Sequence, residues 1–453
     1  MKPKAIVCTI NEEYASAFFF CLESAYQFDY TVSSSKIISE SSDIDHLFRD
    51  LESSNILLYK CYVSKDLKKR LIVAAQVYQK NLLYVDHLIC DSTSALSLQC
   101  LPYQIEHFFE FDTRFSYDKN LTHFSDAHVL ITGGAGSIGS QLVKLVAQCK
   151  PQQLTIVDQN EEGLWRLKNQ LGILFPNVTI QCILLDLTDF DSLDYLFSQN
   201  NFTTVFHTAA YKQLPLLQDH IYIAAKINLI ATINLVKLSH NNKIKRFLYL
   251  SSDKACNPTS ILGLTKRAAE IYITSFQEQN KSATIFNTVR LGNIVNSSGS
   301  VIPTFNNQLN HNLPLTITHN DSKRYYLNNK NACELIIESL FLEKNTSVLI
   351  LKMGEMLSII EVLKLLFLFR NKPFSERTIK HIGLRSGEKL IEVLHNNTAK
   401  VSKTNNPLIF AIEETQLSSD KVRMIVEQLE TLCSSYNEEK ILDLLKQLVP
   451  EYQ

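Results

Sequence analysis

From Asp126 to about residue 290, short apolar runs alternate with longer amphipathic stretches. His128–Ile131, Leu154–Val157, Val178–Leu184, Thr203–Phe206, Arg246–Leu250 and Ala283–Val289 have strand length and largely apolar character, as strands covered on both faces do. Between them Ile138, Leu142, Val143, Leu145 and Val146 form one helical face, and helices are predicted through Ala224–Leu238 and Thr265–Phe276. This alternation predicts a doubly wound parallel α/β sheet. Residues 1–120 carry a looser version of the same pattern. Strands are expected at Ala5–Ile10, Asn55–Tyr59 and Leu82–Val85, and helices through Phe18–Cys21, near Ile44–Leu51 and at Lys65–Tyr78. After Asn296 the periodicity loosens, punctuated by Pro303 and Pro314. Two amphipathic helices, Asp420–Cys433 and Glu438–Leu448, close the chain and read as packing elements.

The run His128–Ile131 breaks into Gly133, Gly134, Gly136 and Gly139 before the first helical face begins. Gly133, Gly136 and Gly139 have the spacing of a dinucleotide turn: a bend after a buried strand, close backbone approach to a pyrophosphate, and tight helix packing. Phosphate would sit on the helix N-terminus, where free N–H groups and the helix dipole favour an anion. Asp158 ends the next strand, roughly 20 residues beyond the last glycine, where a carboxylate holds a ribose 2′-hydroxyl and disfavours a 2′-phosphate. NAD is therefore expected over NADP. The fold class is α/β, with a Rossmann domain at 121–295, a substrate-binding region interleaved with its sheet at 296–415, and C-terminal helices at 416–453. Residues 1–120 form a degenerate Rossmann-like domain. The first glycine of the chain is Gly133, so a turn after the first strand runs through Asn11, Glu12 and Glu13, which block and repel phosphate. That domain is expected to be structural or regulatory.

Composition adds mainly exclusions. Across 453 residues, 45 Lys plus Arg nearly cancel 46 Asp plus Glu, so no field or basic stripe draws in nucleic acid. The ten cysteines are scattered without metal spacing, which points to thiols in a reducing cytoplasm and to no metal site. The N-terminus turns polar too early for a signal segment, and no run supplies about 18 uninterrupted apolar residues for a membrane span. A cytoplasmic chain without a transmembrane segment is expected.

The segment Ser251–Lys266 begins at the end of a buried strand and should place Asp253 and Lys254 in the cofactor crevice. Adjacent opposite charges there can divide proton work, one as acid and one as base. An Asp-Lys pair alone is more often a solvated turn, but its surroundings reverse that weighting. TGGAGSIGSQL, VFHTAAYK, SSDKACNPTSILGLTKRAAE, VRLGN with SSGSVIP, LTITHNDSKRYY and GLRSGEKLIE follow one another in order. In this series the chain, from about residue 126 to the C-terminus, resembles the nucleotide-sugar 4,6-dehydratases of bacterial polysaccharide biosynthesis, within the extended short-chain dehydrogenase/reductase superfamily. Its N-terminal region is similar to the domain preceding the dehydratase in the long, membrane-anchored members, without their transmembrane block.

The resemblance implies a UDP-N-acetylhexosamine substrate, UDP-N-acetylglucosamine foremost, and an internal redox dehydration with NAD that leaves a 4-keto-6-deoxy sugar. By motif, Asp253 matches the acid, Lys254 the C5 base, Ser252 the hydroxyl that bonds the sugar, and Lys266 the lysine on the nicotinamide ribose. Cofactor contacts carry over to Gly133, Gly136, Ser137, Ile138, Gly139, Asp158, Asp186, Leu187, Ala209, Ala210, Lys212, Asn228 and Lys266. Substrate contacts carry over to Lys212, Asn293, Ser300, Val301, Arg324, Arg385 and Glu388, arginines suiting a diphosphate and a carboxylate suiting ribose hydroxyls. A homo-oligomer, a dimer or larger, is also implied. Leu262 stands where most of the superfamily has a catalytic tyrosine, as an apolar methionine does in the long members, and this leaves Asp253 or Lys266 to take the C4 hydroxyl proton. Gln213 and Gln218 replace a histidine and a glutamate, while His207 and His319 read as structural. Two alternatives remain: a UDP-sugar 4-epimerase, which has no use for a C5 base, and a catalytically silent nucleotide-sugar-binding protein.

Overall fold

The computed structural model describes residues 4–9, 12, 31–39, 42–49, 55–59, 62–89, 96–111, 113, 123–280, 282–342, 348–414 and 417–453. The chain forms two compact units: Met1–Arg114 with Gly172–Asn177 and Ile360–Thr378, and Phe115–Leu171 with Val178–Ile359 and Ile379–Gln453.

In the first unit, β1 (Lys4–Thr9), β2 (Thr31–Ile37), β3 (Asn55–Leu58), β4 (Asn81–Ile89) and β5 (Leu96–Pro102) form a sheet in the order β2-β1-β3-β4-β5. All pairings are parallel except β4 with β5. Ile6, Cys8, Ile56 and Leu58 pack against Phe48 and against Leu67 and Leu71 of helix Lys65–Val77. That helix starts where the Ser64 hydroxyl accepts from Leu67 N at 3.1 Å. Periodicity does not announce β2 and β5. They are the two edges of this sheet, where burial demands less apolar content than a central position. The helix expected through Phe18–Cys21, and Asn11 and Glu13 of the expected turn, lie outside the described residues.

The second unit is built on a nine-stranded sheet. Its strands are β6 (His128–Thr132), β7 (Gln153–Asp158), β8 (Ile180–Leu184), β9 (Thr204–His207), β10 (Arg246–Ser252), β11 (Ile285–Leu291), β15 (Val348–Leu351), β18 (Lys400–Lys403) and β19 (Ile409–Glu413). The order is β18-β19-β15-β11-β10-β9-β6-β7-β8, parallel from β15 through β8, with β19 and β18 antiparallel at the other edge. From β6 the chain steps outward to β7 and β8, then returns to β9 and runs the other way through β10 and β11. The reversal between β6 and β9 opens a crevice at their carboxyl ends. Residues beyond 296 contribute β15, β18 and β19 to this sheet, and two small pairings stand over it in sequence: β12 (Asn293–Ile294) with β14 (Lys323–Leu327) and β16 (Met356–Ser358), and β13 (Leu315–Ile317) with β17 (Ile379–His381). Pro303 does not punctuate a loop. It lies in the first turn of helix Val301–Asn310, where a backbone N–H has no intrahelical acceptor to lose.

Helix Ile261–Asn280 runs longer than the periodic segment Thr265–Phe276, because nearly all of it is buried and it lacks a polar face to create a period. Ile261, Leu264, Ala268 and Ile271 share one core with Val422, Ile425 and Leu429 of helix Ser419–Leu432 and with Ile441, Leu445 and Leu448 of helix Glu438–Leu448. The segment Ile221–Asn241, continuous through a π-helical stretch at Lys226–Ile230, is the one helix among the described residues with the length and composition to cross a membrane. In this fold 67% of that window is buried.

Beneath the end of β10 lies a buried charge network. Arg290 of β11 donates to both oxygens of Glu270, at 2.9 and 2.6 Å, and to both oxygens of Glu414, at 3.0 and 2.7 Å. Arg267 reaches Glu270 at 3.1 Å, Glu414 at 2.9 Å and Glu451 at 2.7 Å. Burial alone would raise the Glu270 pKa, but Arg290 and Arg267 outweigh it and hold the carboxyl below its ordinary value. Removing one partner of such a network strands the others. Glu270→Gln is expected to cost about 3–5 kcal/mol, seen as a lower denaturation midpoint with an unchanged slope.

Candidate active site

The glycine turn after β6 is closed to side chains. Gly133 has φ +71°, and a Cβ there would come within 2.6 Å of the Ala209 backbone; a Cβ on Gly139 would collide with the Gly133 carbonyl. Gly136 caps helix Ser137–Gln148 in an extended conformation, leaving the first N–H groups of that helix facing the crevice end of the sheet. Asp158 braces this turn: Oδ2 accepts from Ala135 N at 2.8 Å and Oδ1 from Asn160 N at 2.9 Å.

Two cavities meet on Gly133, Gly136, Thr208 and Ala210. The first, of about 330 Å³, gathers Asp158, Asp186, Leu187, Ala209 and Ala210. The second, of about 430 Å³, gathers Ser137, Ile138, Gly139, Lys212, Ser252, Lys254 and Lys266 on its sheet side, and Asn293, Ser300, Val301, Arg324, Arg385 and Glu388 on the side built from residues beyond 290. Segments separated by as much as 259 positions, Gly133 to Glu392, thus form one continuous cleft. A glycine turn without side chains, leading into the N-terminus of helix Ser137–Gln148 and followed by a carboxylate at the end of β7, fits a dinucleotide with an unmodified ribose.

Two expected site residues do not line the cleft. Asn228 is 1% exposed and sits behind it, accepting from Tyr211 N at 2.9 Å and donating to Tyr211 O at 3.1 Å. It shapes the loop after β9, where a cofactor contact was expected. Asp253 is fully buried behind Ser252 and Lys254. Its Oδ1 accepts from the Ser252 hydroxyl and from Lys254 Nζ, both at 3.0 Å, while Oδ2 has no hydrogen-bond partner among the described residues.

Two of the three lysines lining the cleft, Lys254 and Lys266, have opposite environments. Burial disfavours the Lys254 ammonium, but the nearby carboxylates of Asp253 and Glu392 prevail and raise its pKa above the ordinary lysine value. Lys266, one helical turn after Leu262, donates to Leu250 O at 2.8 Å and lies 4.7 Å over the Tyr249 ring. Burial lowers its pKa to about 7 against the weaker pull of Glu270. Leu262 also lines the cleft, so its face of the helix offers an alkyl group beside an amine.

His207 is structural, as its buried position at the end of β9 dictates. Thr232 Oγ1 donates to Asn228 O at 2.9 Å and so accepts from His207 Nε2 at 2.9 Å; His207 Nδ1 in turn accepts from Thr132 Oγ1 at 2.8 Å. Burial and Lys266 push its pKa down to about 3, keeping the ring neutral. His319 is half exposed, and its Nδ1 accepts from Asp321 N at 3.1 Å. Gln213 lines the cleft, whereas Gln218 caps helix Ile261–Asn280, accepting from Ile261 N at 3.2 Å. Arg324 is held by Glu388 at 3.3 Å and by the carbonyls of Leu390 and Lys389 at 2.8 and 2.7 Å. One charged lining residue escaped notice in the sequence: Glu392, 2% exposed and 3.8 Å from Lys254 Nζ. It ends the motif GLRSGEKLIE, but no helix or strand period there tells which of its side chains turn inward.

A family model described as polysaccharide biosynthesis protein matches residues 129–414. The chain belongs to that family. It is 30% identical over 317 residues to the capsular polysaccharide biosynthesis protein CapD of Staphylococcus aureus, a match covering 70% of this chain and 52% of that one. The chain thus spans about half of CapD. It is 30% identical to a UDP-glucose 4-epimerase of Rickettsia massiliae, covering 60% and 78% of the two chains, and 25% identical to a UDP-N-acetylglucosamine 4,6-dehydratase (inverting) of Campylobacter jejuni, covering 67% and 86%. The solved structure of Pen from Bacillus thuringiensis superposes with a TM-score of 0.59 at 28% identity, covering 67% of this chain and 98% of that one. The family protein carries the expected Rossmann fold, and every motif quoted from the sequence lies inside the family match.

The lysine environments give a signed pH effect. Since folding lowers the Lys266 pKa, the unfolded chain binds the extra proton between pH 7 and about 10, and stability rises with pH across that window. Lys266→Met is expected to be the more stable protein at pH 7 and to lose that advantage by pH 10, read by calorimetric Tm at both values.

Proposed function

We propose that this protein catalyses NAD-dependent 4,6-dehydration of a UDP-N-acetylhexosamine, with UDP-N-acetylglucosamine as first candidate, in the cytoplasm. The observation that carries this reading is the Ser252-Asp253-Lys254 turn at the carboxyl end of β10, with a lysine on the cleft wall and a buried carboxylate bonded directly behind it. The glycine turn and Asp158 would hold NAD, which supplies a hydride acceptor and donor when bound. Arg324, Arg385 and Glu388 would hold the nucleotide part of the substrate.

The resting pair is an ammonium and a carboxylate 3.0 Å apart. Moving one proton from Lys254 to Asp253 makes a neutral amine and a neutral acid. The amine removes the C5 proton, which a C4 ketone acidifies, and the acid returns a proton to the departing C6 oxygen through the Ser252 hydroxyl. Water leaves and the Lys254–Asp253 ion pair is restored; C5 then takes back one proton, which balances the one lost by the C4 hydroxyl, so no proton is gained or lost over the cycle. Leu262 cannot move a proton, and Lys266, neutral in a substantial fraction at pH 7, is the cleft group suited to accept the C4 hydroxyl proton.

The test is mass spectrometry with proton NMR of UDP-N-acetylglucosamine incubated with protein and NAD. The expected product is lighter by one water, shows a 6-methyl signal and leaves no net NADH. Lys254→Ala is expected to lower the rate by about 10²–10⁴-fold while nucleotide binding persists. The epimerase relative favours a second reading, inversion at C4. Unchanged mass with UDP-N-acetylgalactosamine as product would establish it.

A further inference from the structure

We propose that Glu392 is a positioning residue of the acid–base group: its carboxylate holds the Lys254 side chain against the cleft wall from the side opposite Asp253. The inference rests on the reading of Lys254 as the group that moves the substrate's proton.

Glu392 reaches the site from a different part of the chain than the turn it faces. It lies just after the bridge of Ile391 to Lys323, in a segment that is pinned to the Lys254 loop at two further points. Lys389 Nζ donates to Cys256 O at 2.7 Å, and Thr259 Oγ1 donates to Gly387 O at 2.9 Å. A side chain at Gly387, whose φ is +74°, would come within 2.7 Å of Ser260, so the two segments lie in direct contact. Within this clasp Glu392 Oε1 stands 3.8 Å from Lys254 Nζ and Oε2 stands 3.8 Å from Lys389 Nζ. Oε2 is buried and has no hydrogen-bond partner among the described residues. A carboxylate 2% exposed without a full set of hydrogen bonds is costly, and in this place its charge acts on Lys254.

The charged groups facing Lys254 are Asp253 from its own turn, Glu392 and Lys389 from the clasping segment, and Arg324 from β14. Asp253 alone would draw the ammonium back toward the buried side of the loop. With an anion on each side, Nζ is held between them, and the side chain keeps 20% of its surface open to the cleft. Because the amine must be neutral to take a proton from carbon, Glu392 sets how readily Lys254 gives up its own.

The experiment compares wild type with Glu392→Gln, a substitution of the same shape without the charge. Lys254 is labelled competitively with acetic anhydride across pH, and its peptide is quantified by mass spectrometry. Loss of one of two anions is expected to move the Lys254 labelling midpoint to lower pH, making labelling near pH 9 several-fold to about tenfold faster. An unmoved midpoint in a variant with wild-type circular dichroism and Tm overturns the inference. Should Glu392→Gln fail to fold, Glu392→Asp, which shortens the reach and keeps the charge, is expected to shift the midpoint by less in the same direction, and an identical midpoint would again overturn it. With active enzyme, Glu392→Gln is expected to lower kcat while leaving the KM for UDP-N-acetylglucosamine near its wild-type value, with the acid limb of the kcat profile displaced to lower pH. Labelling requires no turnover, so a shifted midpoint in a protein without dehydratase activity leaves the inference standing and removes only the proposed function.

Discussion

The buried pairing of Arg290 with Glu270 and Glu414 is the constraint on which the cleft end of the sheet depends. A guanidinium with no exposed surface can exist there only with its donors met, and two carboxylates, each bidentate, meet them together with the Leu394 carbonyl. Those carboxylates come from the long buried helix and from the residue after β19, so the network ties three distant segments to one point. Ser251 donates to Glu270 at 2.6 Å, which fixes the last residues of β10 over the network. The turn bearing Asp253 and Lys254 starts from that fixed point. A displacement of the network would therefore reach Asp253 and Lys254 without touching them.

Above this foundation, two lysines on the same wall acquire different chemistry from their neighbours. Lys254 has carboxylates on both sides and holds its proton firmly. Lys266 faces a carbonyl and an aromatic ring, with its nearest carboxylate, Glu270, committed to arginines, and it holds its proton loosely. Separated environments of this kind give two groups of one residue type different protonation behaviour at a single pH.

The first unit is a smaller α/β sheet of related strand order. Its order β2-β1-β3-β4-β5 is that of a doubly wound sheet, and its helix Lys65–Val77 covers the strands as a Rossmann helix does. What it lacks is any glycine before position 133, and so any backbone able to approach a phosphate closely after β1. It also includes Ile360–Thr378, a piece of chain lying between β16 and β17 in sequence. Tyr103 and Phe108 meet Phe369 of that piece at ring-centroid distances of 6.0 and 6.4 Å.

The sequence by itself determined the central strands, the glycine turn and the residues able to do chemistry. Central parallel strands must be apolar throughout, a pyrophosphate turn tolerates only glycine, and a short ordered motif keeps its residues together wherever the chain goes. It did not disclose β2 and β5 at the edges of the first sheet, the full length of helix Ile261–Asn280 or the assignment of Ile360–Thr378 to the first unit, because each depends on what covers it from far along the chain. The same holds within the site. Local sequence identified Lys254 and Asp253, yet only the tertiary structure placed Asp253 behind Ser252, turned Asn228 onto the backbone of Tyr211, and brought Glu392 to Lys254 across 138 positions of sequence. Proximity between distant segments is set by packing and buried charge, and no local pattern records it.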